Sequence, residues 1–181
     1  MAAAEAFRPL RRVEYDQLVS LGVFEGERVE LLEGALVAMS PIGAPHNASV
    51  QKLDRLLQLA LNERALVRCQ MSFVALDISE PEPDLAVVPL RDYDTDHPDQ
   101  AYLIVEVAES SVAYDRGRKR RVYASCGVPE YWIVNIPERC IEVYREPDVD
   151  SYVHSERYVP GQTLHIAAFS DVSIAVSDVI K

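Results

Sequence analysis

Basic charge is scarce in this sequence. Eighteen lysines and arginines stand against 29 aspartates and glutamates, a formal net charge of −11 over 181 residues. Sequence-blind nucleic-acid binding needs a basic footprint that displaces counterions, so the total argues against that class. A small basic groove on an acidic body remains compatible with it, which makes the distribution of charge more informative than its sum. Cysteine is scarce too. Cys69, Cys126 and Cys140 are odd in number and widely spaced, with no CxxC pair and no Cys/His set at zinc spacing. They are expected to be reduced thiols, Cys126 at least in the core, and not redox or nucleophilic groups. No apolar run approaches the roughly 20 residues that span a membrane. The first stretch, MAAAEAFRPLRR, places its arginines after an alanine patch, the reverse of a secretory signal. The expectation is an intracellular, cytoplasmic protein. Internal repeats and low-complexity segments are missing as well.

What is present is globular. Hydrophobic residues make up 49% of the chain, enough for one domain over residues 1–181 with a substantial core. VEYDQLVSLG (13–22) reads as a short helix stopped by Gly22. RVELLEGALVAMSP (28–41) reads as two strands around a turn at Glu33-Gly34. NASVQKLDRLLQLALNERA (47–65) carries Val50, Leu53, Leu56, Leu57 and Leu61 at helical spacing, with Asn47 as its N-cap. LVRCQMSFVALDIS (66–79) is strand-like, and Pro83-Asp84 opens a short strand in PEPDLAVVPL. The polar loop 91–100 precedes AYLIVEVA (101–108), the most strand-like run in the chain. A helix over 110–127 ends at Gly127. PEYWIVNI and CIEVYRE form a hairpin, and more β structure follows. This order predicts an α/β domain whose mixed sheet is flanked by helices, with extra hairpins.

Three positions carry chemistry. Glu106 sits in the apolar run 101–108, where a buried acid is costly without a partner or a metal. Alternation places it with Tyr102, Ile104 and Ala108, opposite Leu103, Val105 and Val107. It is either a strand-end acid paired with an arginine, or a metal ligand or acid/base. Asp84 begins DLAVV and is a turn residue when taken alone. On an adjacent antiparallel strand it would lie within side-chain contact of Glu106. Two ionised carboxylates that close repel, and a divalent cation such as Mg²⁺ removes that cost. Lys119 falls on the apolar stripe of its helix with Asp115, Val122, Tyr123 and Cys126, so it points toward the sheet. It either pairs with Asp115 at i,i+4 or is a cation that orients water or meets a phosphate oxygen beside a metal. Arg116, Arg118, Arg120 and Arg121 surround it. They are a solvated surface run, or a local positive wall for phosphates.

MSPIGAPH, EPEPDLAVV, LIVEVAESSVAYDRGRKRRVYASCGVPEYWIV and the flanking VELLEG together resemble the Uma-type endonuclease family, a bacterial family of unknown physiological role. It belongs to the PD-(D/E)XK, restriction-endonuclease-like superfamily. The resemblance covers about residues 10–150, with Glu80 to Val134 its specific part. It implies a restriction-endonuclease-like mixed sheet flanked by helices, with a nuclease core over about 28–145. Asp84 stands at the superfamily's aspartate and Glu106 at its second acid. The superfamily's lysine usually follows that acid by two residues, where this chain has Ala108. Lys119 matches relatives in which the lysine has moved to the next helix. His46 and Glu33 are further candidates near the site.

By that resemblance the protein hydrolyses phosphodiester bonds in DNA. Asp84, Glu106 and the Val107 carbonyl would hold Mg²⁺ or Mn²⁺, Lys119 would position or deprotonate the attacking water, and homodimers are common. Two alternatives stand beside this reading. One is a catalytically inactive nuclease-fold binding module, and the other an enzyme acting on a different phosphate ester.

Overall fold

A computed structural model describes residues 7–39 and 41–180. The alanine patch at the start of the chain lies outside the described residues. The chain opens with α1 (Arg12–Ser20), β1 (Val29–Leu32), β2 (Ala35–Ala38) and the long helix α2 (Ala44–Leu61). Next come β3 (Leu66–Cys69), β4 (Leu85–Val88) and β5 (Leu103–Ala108). A helical connection follows: α3 (Val112–Tyr114), a π-helical turn (Asp115–Lys119) and α4 (Arg120–Ser125). The chain ends with β6 (Glu130–Asn135), β7 (Cys140–Asp148), β8 (Ser151–Tyr158), β9 (Thr163–Ile166), β10 (Phe169–Ala175) and α5 (Val176–Val179).

Six strands make one sheet in the order β3-β4-β5-β6-β7-β8. Every pairing in it is antiparallel except β5 with β6, which is parallel and joined through the α3–α4 connection. β1–β2 and β9–β10 are separate hairpins. β5 and β6 are buried along their whole length, as expected for strands covered on both faces. Leu103, Val105, Val107, Trp132 and Val134 pack on one face with α2, α5 and the β9–β10 hairpin. Ile104, Ala108, Tyr131 and Ile133 pack on the other with α4, Leu32 of β1 and Phe73. The expected alternation therefore holds from Leu103 to Ala108, whereas Tyr102, just before β5, packs with the opposite face against Phe169; the apolar strand EYWIVNI is core. Among the described residues, no helix is long and apolar enough to cross a membrane.

Three local expectations need correction. α2 begins at Ala44 with Gly43 as N-cap, so Asn47 lies inside the helix instead of capping it. Pro45 in the first turn explains the earlier start, because its fixed φ suits the helix and its missing N–H costs nothing there. The apolar stripe is as read: Val50, Leu53, Leu57 and Leu61 are buried. Strand character in 66–79 ends at Cys69, where Gln70 takes φ 51°. The chain beyond it winds back as an irregular segment, with Phe73 N–H bonding Pro81 O and Val74 N–H bonding Pro98 O. The helix over 110–127 is real but contains the π turn, in which Arg120 N–H reaches back to Asp115 O. Gly127, at φ 76°, ends it as expected. Its N–H bonds Ala124 O while Val128 N–H bonds Tyr123 O, the paired bonds of a Schellman stop.

Candidate active site

β4 and β5 run antiparallel with Leu85 opposite Val105 and Ala86 opposite Ile104. One step further along that register, at the end of the sheet, lie Asp84 and Glu106. Both are nearly inaccessible, with exposures of 9% and 4%. Asp84 is held on both carboxylate oxygens. Its Oδ2 accepts the Val107 N–H at 2.8 Å and lies 3.0 Å from His46 Nε2, while Oδ1 accepts from Gln70 Nε2 at 3.2 Å. Burial alone would raise its pKa. The His46 hydrogen bond and charge, with Val107 N–H and Gln70, outweigh burial and hold the carboxyl below its ordinary value.

Glu106 has the opposite character. Burial, reinforced by Asp84, Asp115 and Glu30 and opposed by Lys119, pushes its pKa well above the ordinary value. Both of its donors land on Oε1: Lys119 Nζ at 2.9 Å and the Tyr123 hydroxyl at 2.7 Å. Lys119 comes down from the helical connection, inward as the sequence indicated, and is 5% exposed. It does not form the i,i+4 pair with Asp115. That carboxylate accepts instead from the Ser111 hydroxyl at 2.6 Å. The lysine bridges Glu106 and Glu30, whose Oε2 is 3.2 Å from Nζ. Burial works against its charge, but Glu106, Glu30 and Asp115 prevail and its pKa is raised. The ammonium is therefore a firm cation.

Glu30 is the principal residue that the sequence reading missed. It lies on β1, is buried, and accepts the Glu82 N–H at 3.2 Å besides touching Lys119. The acid singled out on that hairpin, Glu33, sits outside the cluster. It turns away at φ 49° and pairs with Arg118 at 2.8 Å and Arg121 at 3.0 Å. His46 does reach the cluster, from the first turn of α2. It is buried, and its Nδ1 has no partner among the described residues. Burial opposes protonation of His46, yet the hydrogen bond and charge of Asp84 raise its pKa overall.

Three of the four neighbouring arginines, Arg116, Arg118 and Arg121, are occupied by glutamates within the protein. Arg116 makes a 2.6 Å contact to Glu142 and one of 2.9 Å to Glu138. Arg118 also donates to Leu32 O at 2.7 Å, and Arg120 lies over the Tyr144 ring at 5.5 Å.

Asp84, Glu106, Lys119, His46 and Glu30 all line one cleft of about 660 Å³. Among the described residues, no group of three or more His, Cys, Asp or Glu is placed to cage a metal by itself. Two adjacent hard carboxylates with Val107 beside them nevertheless fit Mg²⁺ or Mn²⁺. Such an ion commonly takes one or two carboxylates and completes its shell with water and substrate phosphate. Burial raises the Glu106 pKa first and the Asp84 charge adds to it, and a cation in the same place would offset both.

The six-stranded mixed sheet flanked by helices, with its added antiparallel hairpins, is the expected restriction-endonuclease-like architecture. The chain belongs to the Uma2 family, described as "Putative restriction endonuclease", which matches residues 12–177. Among solved structures it is similar to one titled a "putative nuclease belonging to DUF820 from Anabaena variabilis ATCC 29413". The TM-score is 0.74 at 15% identity, covering 94% of this chain and 97% of that one. At that identity the likeness is one of fold. A second match, the type IIG restriction endonuclease BpuSI, has a TM-score of 0.41 at 14% identity over 79% of this chain and 16% of that one. No curated protein matches the chain.

Proposed function

We propose that this protein is a divalent-metal-dependent endonuclease that hydrolyses phosphodiester bonds in DNA. One observation carries the reading: Lys119, a buried cation, touches Glu106 while Asp84 stands on the adjacent strand, and all three open on one cleft. Asp84, Glu106 and the Val107 carbonyl would hold the metal. When bound, Mg²⁺ or Mn²⁺ supplies a more acidic water and offsets charge developing on the phosphate.

The protein's own groups do the rest. His46, Gln70 and the Val107 N–H keep Asp84 ionised and fix its plane. Tyr123 and Lys119 fix Glu106. An ammonium has three N–H donors. One is directed to Glu106, while Glu30 holds the ammonium as an ion pair, and the donors left over can orient the attacking water or a phosphate oxygen. Because its pKa is raised, Lys119 acts as a donor in this arrangement and not as the base.

The test is cleavage of DNA in Mn²⁺ by wild type and by Asp84→Ala, Glu106→Ala and Lys119→Ala. Loss of activity in the three variants supports the proposal, and equal activity in all four proteins overturns it. A second reading, a nuclease fold that binds without cleaving, draws on the engagement of both Asp84 oxygens, because Val107 N–H, His46 and Gln70 take three of the roughly four acceptor sites of that carboxylate. Calorimetry with Mn²⁺ separates the two, because absence of binding at millimolar concentration favours the module. Sedimentation at the same concentrations tests the homodimer.

A further inference from the structure

The arginines beside the site cannot form a track for a double-helical backbone as they stand. Arg116, Arg118 and Arg121 are each tied to glutamates, and Arg120 lies over Tyr144. The cleft itself is acidic. Glu82 and Glu109 line it along with the clustered carboxylates, against Lys119 and His46. Non-specific duplex binding comes almost wholly from rows of Lys and Arg on phosphates, and among the described residues the four arginines beside this cleft do not present one.

The walls offer something else. Val37, Met39 and Ile42 make an apolar side, with Ile42 39% exposed at the cleft. Tyr114 also lines the cleft and carries a hydroxyl that is buried with no partner among the described residues.

From this cleft we infer, resting on the nuclease reading above, that the substrate is an unpaired strand of DNA, one of whose bases lies between Tyr114 and the Ile42 wall. The reacting groups lie at the buried floor of the cleft. A phosphate held in a stacked duplex brings its paired strand with it, whereas an unpaired strand can enter the cleft alone. Its free bases have faces that stack on aromatic and apolar surfaces without regard to sequence. A single phosphate brought to the metal site then replaces the many surface phosphate contacts that this acidic protein lacks.

The experiment compares three fluorescent substrates of one sequence in Mn²⁺: a single strand, its full duplex, and a duplex with an unpaired bubble. Extracting a paired nucleotide costs unstacking and unpairing, so the single strand and the bubble are expected to be cut at least about tenfold faster than the duplex. Cuts in the bubble fall in the unpaired nucleotides. Ile42→Asp and Tyr114→Ala are expected to raise KM for the single strand by about fivefold or more, with Mn²⁺ binding by calorimetry retained. Ile42 is a surface residue, so that variant keeps the test sound if Tyr114→Ala proves unstable. A duplex cut as fast as the single strand, or an unchanged KM in the wall variants, overturns the inference and leaves the nuclease reading standing. No cleavage of any substrate overturns both.

Discussion

Lys119→Met removes the one ammonium that touches both Glu106 and Glu30, at 2.9 and 3.2 Å, and leaves a side chain of similar length. Both carboxylates are nearly inaccessible, so each loses a partner in a medium that solvates charge poorly. Taking one member from a buried ion pair costs about 3–5 kcal/mol, most of it the penalty on the charge left behind. For a protein of this size about 1 kcal/mol moves Tm by roughly 2–4 °C, so the variant is expected to melt roughly 6–20 °C lower. The control is the double variant Lys119→Met/Glu106→Gln, in which much of the orphaned charge is gone. It should be more stable than the single variant, because the two substitutions share one interaction and their effects do not add. Urea unfolding and calorimetry of the two single variants and the double give the coupling directly. A loss below about 1 kcal/mol in Lys119→Met, or a double variant at the sum of the singles, would refute the claim that Lys119 neutralises this cluster.

Glu80 gives a pH-dependent prediction away from the cleft. It is 2% exposed, its Oε2 has no partner among the described residues, and Arg12 and His97 approach only to 4.0 and 3.8 Å. Burial, reinforced by Asp16 and opposed by Ser72 and Arg12, pushes its pKa up to about 7. The folded state then binds a proton that the unfolded chain has released, so the contribution is full below the ordinary carboxylate value of about 4.3 and is lost as pH rises through about 7. Urea midpoints from pH 4 to 8, roughly the span of that titration, should fall more steeply for wild type than for Glu80→Gln, and parallel curves would contradict the assignment. At Gly127, φ is 76° and an added Cβ would meet nothing within 4 Å, so Gly127→Ala isolates the backbone cost. Thermal unfolding should show a loss of about 1–2 kcal/mol.

The strands were legible because burial leaves a direct trace. β5 and β6 are apolar on both faces, and alternation sorted the faces of β5 correctly. Lys119 was legible for a related reason. Val122 and Tyr123 lie three and four residues after it in an ordinary α-helical turn, and they pack inward with it. Of its two readings, the one beside Glu106 agrees with the observed contact, and the i,i+4 pair with Asp115 does not form, because that pair spans the π turn. Regular helical spacing describes one side of that turn and fails across it. The extra residue belongs to the packing of the whole connection, where Tyr131 donates its hydroxyl to Asp115 O. Nothing local in DRGRK announces it.

Glu30 and Glu33 show where local pattern ends and energetics begins. Both are acids of one hairpin, and Leu31 and Leu32 are both fully buried. Alternation therefore cannot say which face of β1 matters, and Glu33 was named through the family resemblance alone. The argument that exposed Glu106 applies equally to Glu30, because an acid inside a strand that is apolar on both sides needs a partner. Glu33 stands at the turn, where solvent and two arginines satisfy it. Glu30 is satisfied by the Glu82 N–H and by a buried cation, and Lys119 was the inward-facing cation already in hand. Pairing the two from sequence required treating the cost of burial as a constraint on the whole chain: two buried acids on separate strands, one inward lysine, and hence a shared contact.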